Sequence, residues 1–246
     1  MKLENAVALV TGANGGLGGY WIEGLQNSGV GKIYACARNI QKLESLVATN
    51  PKTIMAIELD ITDETSIAQA AAECTDVNLL INNAGILFNQ GLIASKDLSA
   101  ARTEIEINYL GTLAMCRAFA PILKINGGGA IVNMLTILAK VNLPANGSYC
   151  AAKAATFSMT QGVRAELASQ GTLVVGVMPG TVDTGMSKDY PPPKVAPAEV
   201  VREGLQAVVD GVEDVYPGEQ AQQLAAQLLS DPKAVEKALA QMLPVS

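Results

Sequence analysis

The chain has 246 residues, a formal charge of -6, only 16% charged residues and no histidine. Without histidine there is no Ser-His-Asp or Cys-His nucleophile, no imidazole base and no histidine metal ligand. Proton transfer then falls to carboxylate, lysine, tyrosine or cysteine. The acidic balance argues against a nucleic-acid or anionic-membrane partner, since both favour a basic face.

Short apolar runs recur at 7–10, 32–37, 53–59, 77–81, 130–135, 173–177 and 214–216. They are continuous rather than alternating, the pattern of strands covered on both faces in a parallel sheet. Between them apolar residues recur with a period near 3.6: Trp21 and Leu25, then Leu43, Leu46 and Val47, then Ile67, Ala70 and Ala71, then the stretch 101–123. This alternation predicts one α/β domain over 1–246, a doubly wound parallel sheet of about seven strands with helices on both faces. Pro191, Pro192 and Pro193 fall in a loop before Pro197 opens the next helix. Residues 219–246 read as a helical C-terminal extension of the same domain. Its second helix is announced by Asp231 and Pro232 and carries Val235, Leu239, Met242 and Leu243. These apolar residues cover either the sheet edge or an oligomer contact.

Cys36, Cys74, Cys116 and Cys150 form no CxxC, zinc or haem pattern, and each lies in an apolar stretch. They read as buried free thiols of a reducing cytosol rather than as two disulfides. The N-terminal apolar run is too short for a secretory signal, and no run approaches the ~18 apolar residues of a membrane span. A cytoplasmic protein with no membrane partner is expected.

The first strand runs into Thr11-Gly12-Ala13-Asn14-Gly15-Gly16-Leu17-Gly18, followed by a helical pattern. Glycines there allow a tight turn and close approach to a pyrophosphate at the helix N-terminus. The spacing is GxxxGxG rather than the commoner GxGxxG. Where a carboxylate would grip a free ribose 2′-hydroxyl, at the end of the second strand, stand Ala37 and Arg38. A guanidinium grips a 2′-phosphate bidentately, which favours NADP(H) over NAD(H). Asp60, followed by Ile61 and Thr62, closes the third strand; it accepts from an adenine amino group or caps the helix starting at Asp63. Asn82, Asn83, Ala84 and Gly85 end the fourth strand, where Asn bonds neighbouring strand ends and Gly admits a ligand.

Tyr149 and Lys153 stand four apart in a helical segment, which puts a phenol and an ammonium on one face. A nearby fixed positive charge favours the phenolate and lowers its pKa. Tyr190 and Lys194 share that spacing, but the three prolines between them forbid a helix.

With Pro179-Gly180-Thr181-Val182-Asp183-Thr184, these motifs stand in the order and spacing of the short-chain dehydrogenase/reductases. The chain resembles the short, metal-free branch of that family over residues from about 5 to 216. The resemblance implies a single seven-stranded Rossmann domain, a nicotinamide cofactor, a carbonyl or alcohol substrate of small size, no metal, and a homodimer or homotetramer. By the same resemblance Tyr149 donates a proton to a carbonyl oxygen, and Lys153 depresses the Tyr149 pKa and bonds the nicotinamide ribose. Asn108 matches the asparagine that holds a proton-relay water. Pro179, Gly180, Val182 and Thr184 belong to the segment closing over the nicotinamide. The expected cofactor wall is thus Gly12, Asn14, Gly15, Gly16, Leu17, Gly18, Arg38, Asp60, Ile61, Asn83, Ala84, Gly85 and these residues.

One position departs. The family's substrate-orienting serine is here Thr136, with Leu135 where a second serine is usual. Threonine keeps a hydroxyl for the developing oxyanion but adds a methyl and a stiffer χ1, so a pocket narrower at the carbonyl is expected. Leu135–Val141, Leu143, Pro144, Phe88–Leu92 and the loop Gly185–Lys194 should frame an open, apolar pocket. A carbonyl reductase, reversible as an alcohol dehydrogenase, follows. A reductase of carrier-bound 3-oxoacyl thioesters ranks behind it, because only Lys140, Lys188 and Lys194 offer positive charge near the mouth. A nucleotide-binding regulator without turnover is the reading from another class. The helix 148–168 is apolar on more than one face, which predicts burial on both sides, the outer one against a second subunit.

Overall fold

Each apolar run becomes a strand, because an unbroken run can bury both faces of the pleat. The computed structural model describes residues 1–244. Its strands are β1 (Val7–Thr11), β2 (Lys32–Ala37), β3 (Ile54–Glu58), β4 (Leu79–Asn82), β5 (Ala130–Met134), β6 (Leu173–Val177) and β7 (Asp214–Val215). They form one parallel sheet in the order β3-β2-β1-β4-β5-β6-β7. The helices are α1 (Gly18–Asn27), α2 (Glu44–Thr49), α3 (Glu64–Glu73), α4 (Ser99–Ile105), α5 (Thr112–Ile125), α6 (Gly147–Leu167), α7 (Pro197–Asp210), α8 (Glu219–Ser230) and α9 (Pro232–Leu239).

Two apolar layers sandwich the sheet. In β2, Ile33, Ala35 and Ala37 face one layer while Tyr34 and Cys36 face the other. The first layer is built by Trp21, Ile22 and Leu25 of α1 with Val200, Val201, Leu205 and Val208 of α7. Opposite, Ile67 and Ala70 of α3 join Met115, Phe119 and Leu123 of α5, with Met159 and Val163 of α6 against them. Each fully buried side chain of this size contributes roughly 1.5–3 kcal/mol. The four cysteines are buried free thiols, and burial pushes the Cys116 thiol up to about 12.

From β1 the chain builds outward to β2 and β3, and from β4 in the opposite direction. The crevice beyond the carboxyl ends of β1 and β4 is therefore the topological switch point. Beneath it, Asn82 Nδ2 donates to Asn133 Oδ1 at 2.9 Å, and Asn133 Nδ2 to Thr160 Oγ1 at 3.0 Å, which ties β4, β5 and α6 together. Between α4 and α5 the helix widens into a π-type turn over Glu106–Gly111, a distortion that re-aims the side chains it carries.

The outer face of α6, expected against a second subunit, is open in the single chain. In the single chain α6 is buried on one face only: Cys150, Ala152, Lys153, Thr156 and Thr160 are covered, while Ala151, Ala154, Ser158, Gly162 and Ala165 are exposed. The C-terminal segment also reaches the cavity, a placement that neither expectation named. Leu224 of α8, Leu239 of α9 and Met242 line the cavity at the carboxyl ends of the strands. The Asp231 carboxylate caps α9 by accepting the Ala234 N–H at 2.9 Å, and the Met242 carbonyl accepts the Ala145 N–H at 3.1 Å. None of the described helices is long and apolar enough to cross a membrane.

Candidate active site

A cavity of about 740 Å³ occupies the switch point. Its floor begins where β1 meets the glycine-rich turn. Thr11 Oγ1 accepts the backbone N–H groups of Asn83 and Ala84, both at 3.0 Å, and Asn83 Nδ2 donates to the Thr11 carbonyl at 2.9 Å. The two strand ends are thus stitched side by side. Gly12 has φ +64, and a Cβ there would sit 3.0 Å from Ala84 Cα. A Cβ on Gly18 would collide with the Gly12 carbonyl oxygen. Gly15 and Gly16, by contrast, have nothing within 4 Å where a Cβ would point. The first turn of α1 holds no acidic residue and Leu17 supplies no capping side chain; Gly18 donates to the Gly15 carbonyl at 2.7 Å, which leaves the Gly19 and Tyr20 amides available to an anion. This cradle fits the pyrophosphate of a dinucleotide.

Arg38 is exposed beside Ala37 at the end of β2 and lines the cavity. Among the described residues it has no carboxylate within ion-pair distance. Leu59 and Ile61 line the adjoining wall, but Asp60 does not. Asp60 Oδ1 accepts the Thr62 N–H at 2.9 Å and the Thr62 hydroxyl at 2.7 Å, and α3 is capped by Asp63 instead. Burial works to raise the Asp60 carboxyl, yet the Thr62 hydrogen bonds and the Arg38 charge hold it below its ordinary value.

Tyr149, Lys153 and Thr136 line the same cavity, as do Asn83, Ala84, Gly85, Pro179, Gly180, Val182 and Thr184. Thr136, two residues beyond β5, has extended backbone, accepts the Leu138 N–H at 3.2 Å and donates to the Pro179 carbonyl at 3.3 Å. Lys153 Nζ donates to the Met134 carbonyl at 2.7 Å and stands 5.9 Å from the centroid of the Tyr149 ring. Burial lowers Lys153 from 10.5 to about 8. Tyr149 moves up: burial raises it most, and the charges of Cys150, Glu104 and Tyr190 act in the same direction. Desolvation of the phenol thus outweighs the depression expected from Lys153.

Asn108 and Gly18 lie behind the wall rather than on it. Asn108 is fully buried in the π-type turn, where its side chain accepts the Ile86 N–H at 3.0 Å and donates to the Ile86 carbonyl at 2.9 Å. Its own carbonyl accepts the hydroxyls of Thr112 and Thr156, each at 2.9 Å. The single Thr156 proton is shared with the Ala152 carbonyl at 2.8 Å, so one lone pair of the Asn108 carbonyl is only partly engaged by protein. Gly18 acts indirectly, by letting α1 start against Gly12.

Tyr190 lies in the loop expected to frame the pocket, whereas Gln220, Leu239 and Met242 on the wall carried no local signal. Tyr190, in the proline-rich loop that fails as a helix, still lines the cavity; its hydroxyl lies 2.8 Å from Asn146 Oδ1. Gln220 of α8 accepts the Thr181 N–H at 2.9 Å and so braces the Pro179–Thr184 segment. With Leu239 and Met242 these groups close more of the cavity than the open pocket expected, whereas Phe88 and Leu92 are absent from its lining. Glu104, fully buried on α4, accepts the Phe88 N–H at 2.8 Å and the Ser148 hydroxyl at 2.5 Å.

Residues 6–194 match the family model described as short chain dehydrogenase. A mouse protein named "Dehydrogenase/reductase SDR family member 7B" is 34% identical over 196 residues, which cover 75% of this chain and 60% of that protein. The "Sorbitol dehydrogenase" of Cereibacter sphaeroides is 32% identical over 188 residues, covering 74% of this chain and 73% of the other. Among solved structures, a short chain dehydrogenase from Burkholderia cenocepacia J2315 in complex with NADP is 45% identical with a TM-score of 0.92, covering 97% of this chain and 99% of that one. A glycine cradle, a tyrosine and a lysine one helical turn apart, and a matching model over most of the sheet agree: the chain belongs to the short-chain dehydrogenase family.

Proposed function

We propose that the protein reduces a ketone or aldehyde with NADPH, and oxidises the corresponding alcohol in reverse. The observation that carries this reading is the meeting of Tyr149, Lys153 and Thr136 in one cavity with the glycine cradle and Arg38. Bound NADPH supplies the hydride that reaches the carbonyl carbon. Tyr149 gives its phenolic proton to the carbonyl oxygen, and desolvation keeps that proton in place until the oxygen becomes basic. Thr136 turns its hydroxyl toward the developing oxyanion. One Lys153 proton is engaged by Met134, which leaves two donors for the nicotinamide ribose. Arg38 grips the 2′-phosphate, and Pro179, Gly180, Val182 and Thr184 close on the nicotinamide side. The NADP in the Burkholderia protein supports the same cofactor here.

Leu135, Ile137, Leu138, Leu143, Met186 and Met242 make the substrate end apolar, which suits a ketone of low polarity. A carrier-bound thioester fits less well. Lys194 lies 3.6 Å from Asp183, and Lys140 stands over the rings of Phe157 and Tyr216 at 5.0 and 5.1 Å. The exposed small residues Ala151, Ala154, Ser158 and Gly162 of α6 suit a homodimer or homotetramer contact. The test is NADPH consumption with a panel of ketones, diketones and 3-oxo esters, run beside Tyr149→Phe. Turnover in the native protein and its loss in the variant are expected. Turnover that survives in Tyr149→Phe refutes the acid assignment, and tight NADPH binding with silence on every substrate favours a regulator.

A further inference from the structure

Glu104 is fully buried, yet among the described residues no lysine or arginine lies within ion-pair distance of it. Both of its oxygens act as acceptors. Oε1 takes the Phe88 N–H at 2.8 Å, and Oε2 takes the hydroxyl of Ser148 at 2.5 Å, the residue immediately before Tyr149. The carboxyl group is thus anchored at both oxygens. One helical turn later, Asn108 grips Ile86 through its N–H and C=O. Glu104 and Asn108 therefore clamp alternate residues of the segment leaving β4, and Glu104 alone extends the clamp to the first turn of α6.

We propose that Glu104 is a positioning residue for Tyr149, fixing the start of α6 against the loop after β4 and anchoring a buried carboxyl group one residue from the acid. The proposal rests on Tyr149 being the acid. The groups whose charge acts on the phenol are Glu104 from α4, Cys150 from α6 and Tyr190 from the loop after β6, while Lys153 Nζ stands 5.9 Å from the Tyr149 ring. Glu104 is the one carboxyl group of the set, and Lys153 is engaged by the Met134 carbonyl. Burial of the phenol acts in the same sense as the Glu104 charge. A carboxylate with no cation and little solvent is costly, and a neutral side chain of similar shape would serve packing alone.

Glu104→Gln separates the two roles. The amide oxygen still accepts from Phe88 and the amide nitrogen donates to Ser148, but the charge is gone. Glu104→Asp keeps the charge and shortens the reach. The pH dependence of kcat/KM for NADPH-driven reduction is followed in each, together with tyrosinate absorbance of the NADP-bound protein minus its Tyr149→Phe counterpart. In Glu104→Gln the alkaline limb and the Tyr149 absorbance step both move down by about one pH unit. In Glu104→Asp both stay at the native position while kcat falls. Lost activity in Glu104→Gln with an unmoved limb reduces Glu104 to a structural residue and overturns the proposal. Should Glu104→Gln fail to fold, Ser148→Ala keeps the charge and removes its donor; a limb that moves down in that variant overturns the proposal, and one that stays or rises supports it. The absorbance step needs no substrate, so failure of the Glu104 assignment is distinguishable from failure of the reductase reading, which falls when the native protein binds NADPH and turns over no substrate.

Discussion

Lys153 donates to the Met134 carbonyl at 2.7 Å, so the ammonium is held by the end of β5 rather than by the phenol of Tyr149. Burial takes Lys153 from 10.5 to about 8. Between these values the folded protein has released a proton that the unfolded chain still binds, so stability rises with pH across that window. Lys153→Met lacks this dependence. The stability of the native protein relative to Lys153→Met should rise from pH 8 to 10 by up to the order of 3 kcal/mol. Urea unfolding of both proteins at several pH values reads the difference, in which titrations common to the two cancel. Parallel curves would show that Lys153 is not desolvated.

Arg38 stands exposed at the cavity with no carboxylate partner among the described residues. Arg38→Asp replaces a phosphate ligand by a group that repels phosphate and accepts from a free 2′-hydroxyl. The ratio of kcat/KM for NADPH over NADH should fall by at least ten- to a hundred-fold. An unchanged preference would locate discrimination elsewhere.

The Thr136 hydroxyl is held between the Leu138 N–H and the Pro179 carbonyl. Thr136→Val keeps the shape and removes the hydroxyl, and should lower kcat by about a hundred-fold or more with little change in NADPH affinity. Thr136→Ser should retain turnover. Unchanged kcat in the valine variant would remove Thr136 from the mechanism.

Leu239 and Met242 reach the cavity from the C-terminal segment, anchored by the bond from Ala145 N–H to the Met242 carbonyl. Leu239→Ala and Met242→Ala should raise KM for bulky apolar ketones by about ten-fold while leaving that for the smallest ketones nearly unchanged. Equal effects on both classes would mean that the segment braces the fold and does not shape the substrate.

Much of this protein was legible in local pattern. The seven strands follow from continuous apolar runs, because both faces of a parallel sheet are buried. The glycine turn, Arg38 and the Tyr149–Lys153 pair were likewise readable, since a turn, a strand end and a helical i,i+4 spacing each depend on residues near in sequence. Asp60 shows where such reading stops: its chemistry suited two roles, and the close Thr62 hydroxyl drew it into a third.

Tertiary packing decided the rest. Glu104 meets Ser148 across 44 positions, and Met242 meets Ala145 across nearly a hundred, contacts for which no periodicity encodes a partner. The direction in which Tyr149 and Lys153 shift depends on how much water the finished fold removes and which carbonyl lies in reach, and neither exists until α6 has packed on the sheet. The sequence by itself determined which chemical groups this protein possesses and the elements that carry them. Their charges, their partners and the shape of the chamber were decided by burial, which is a property of the assembled chain.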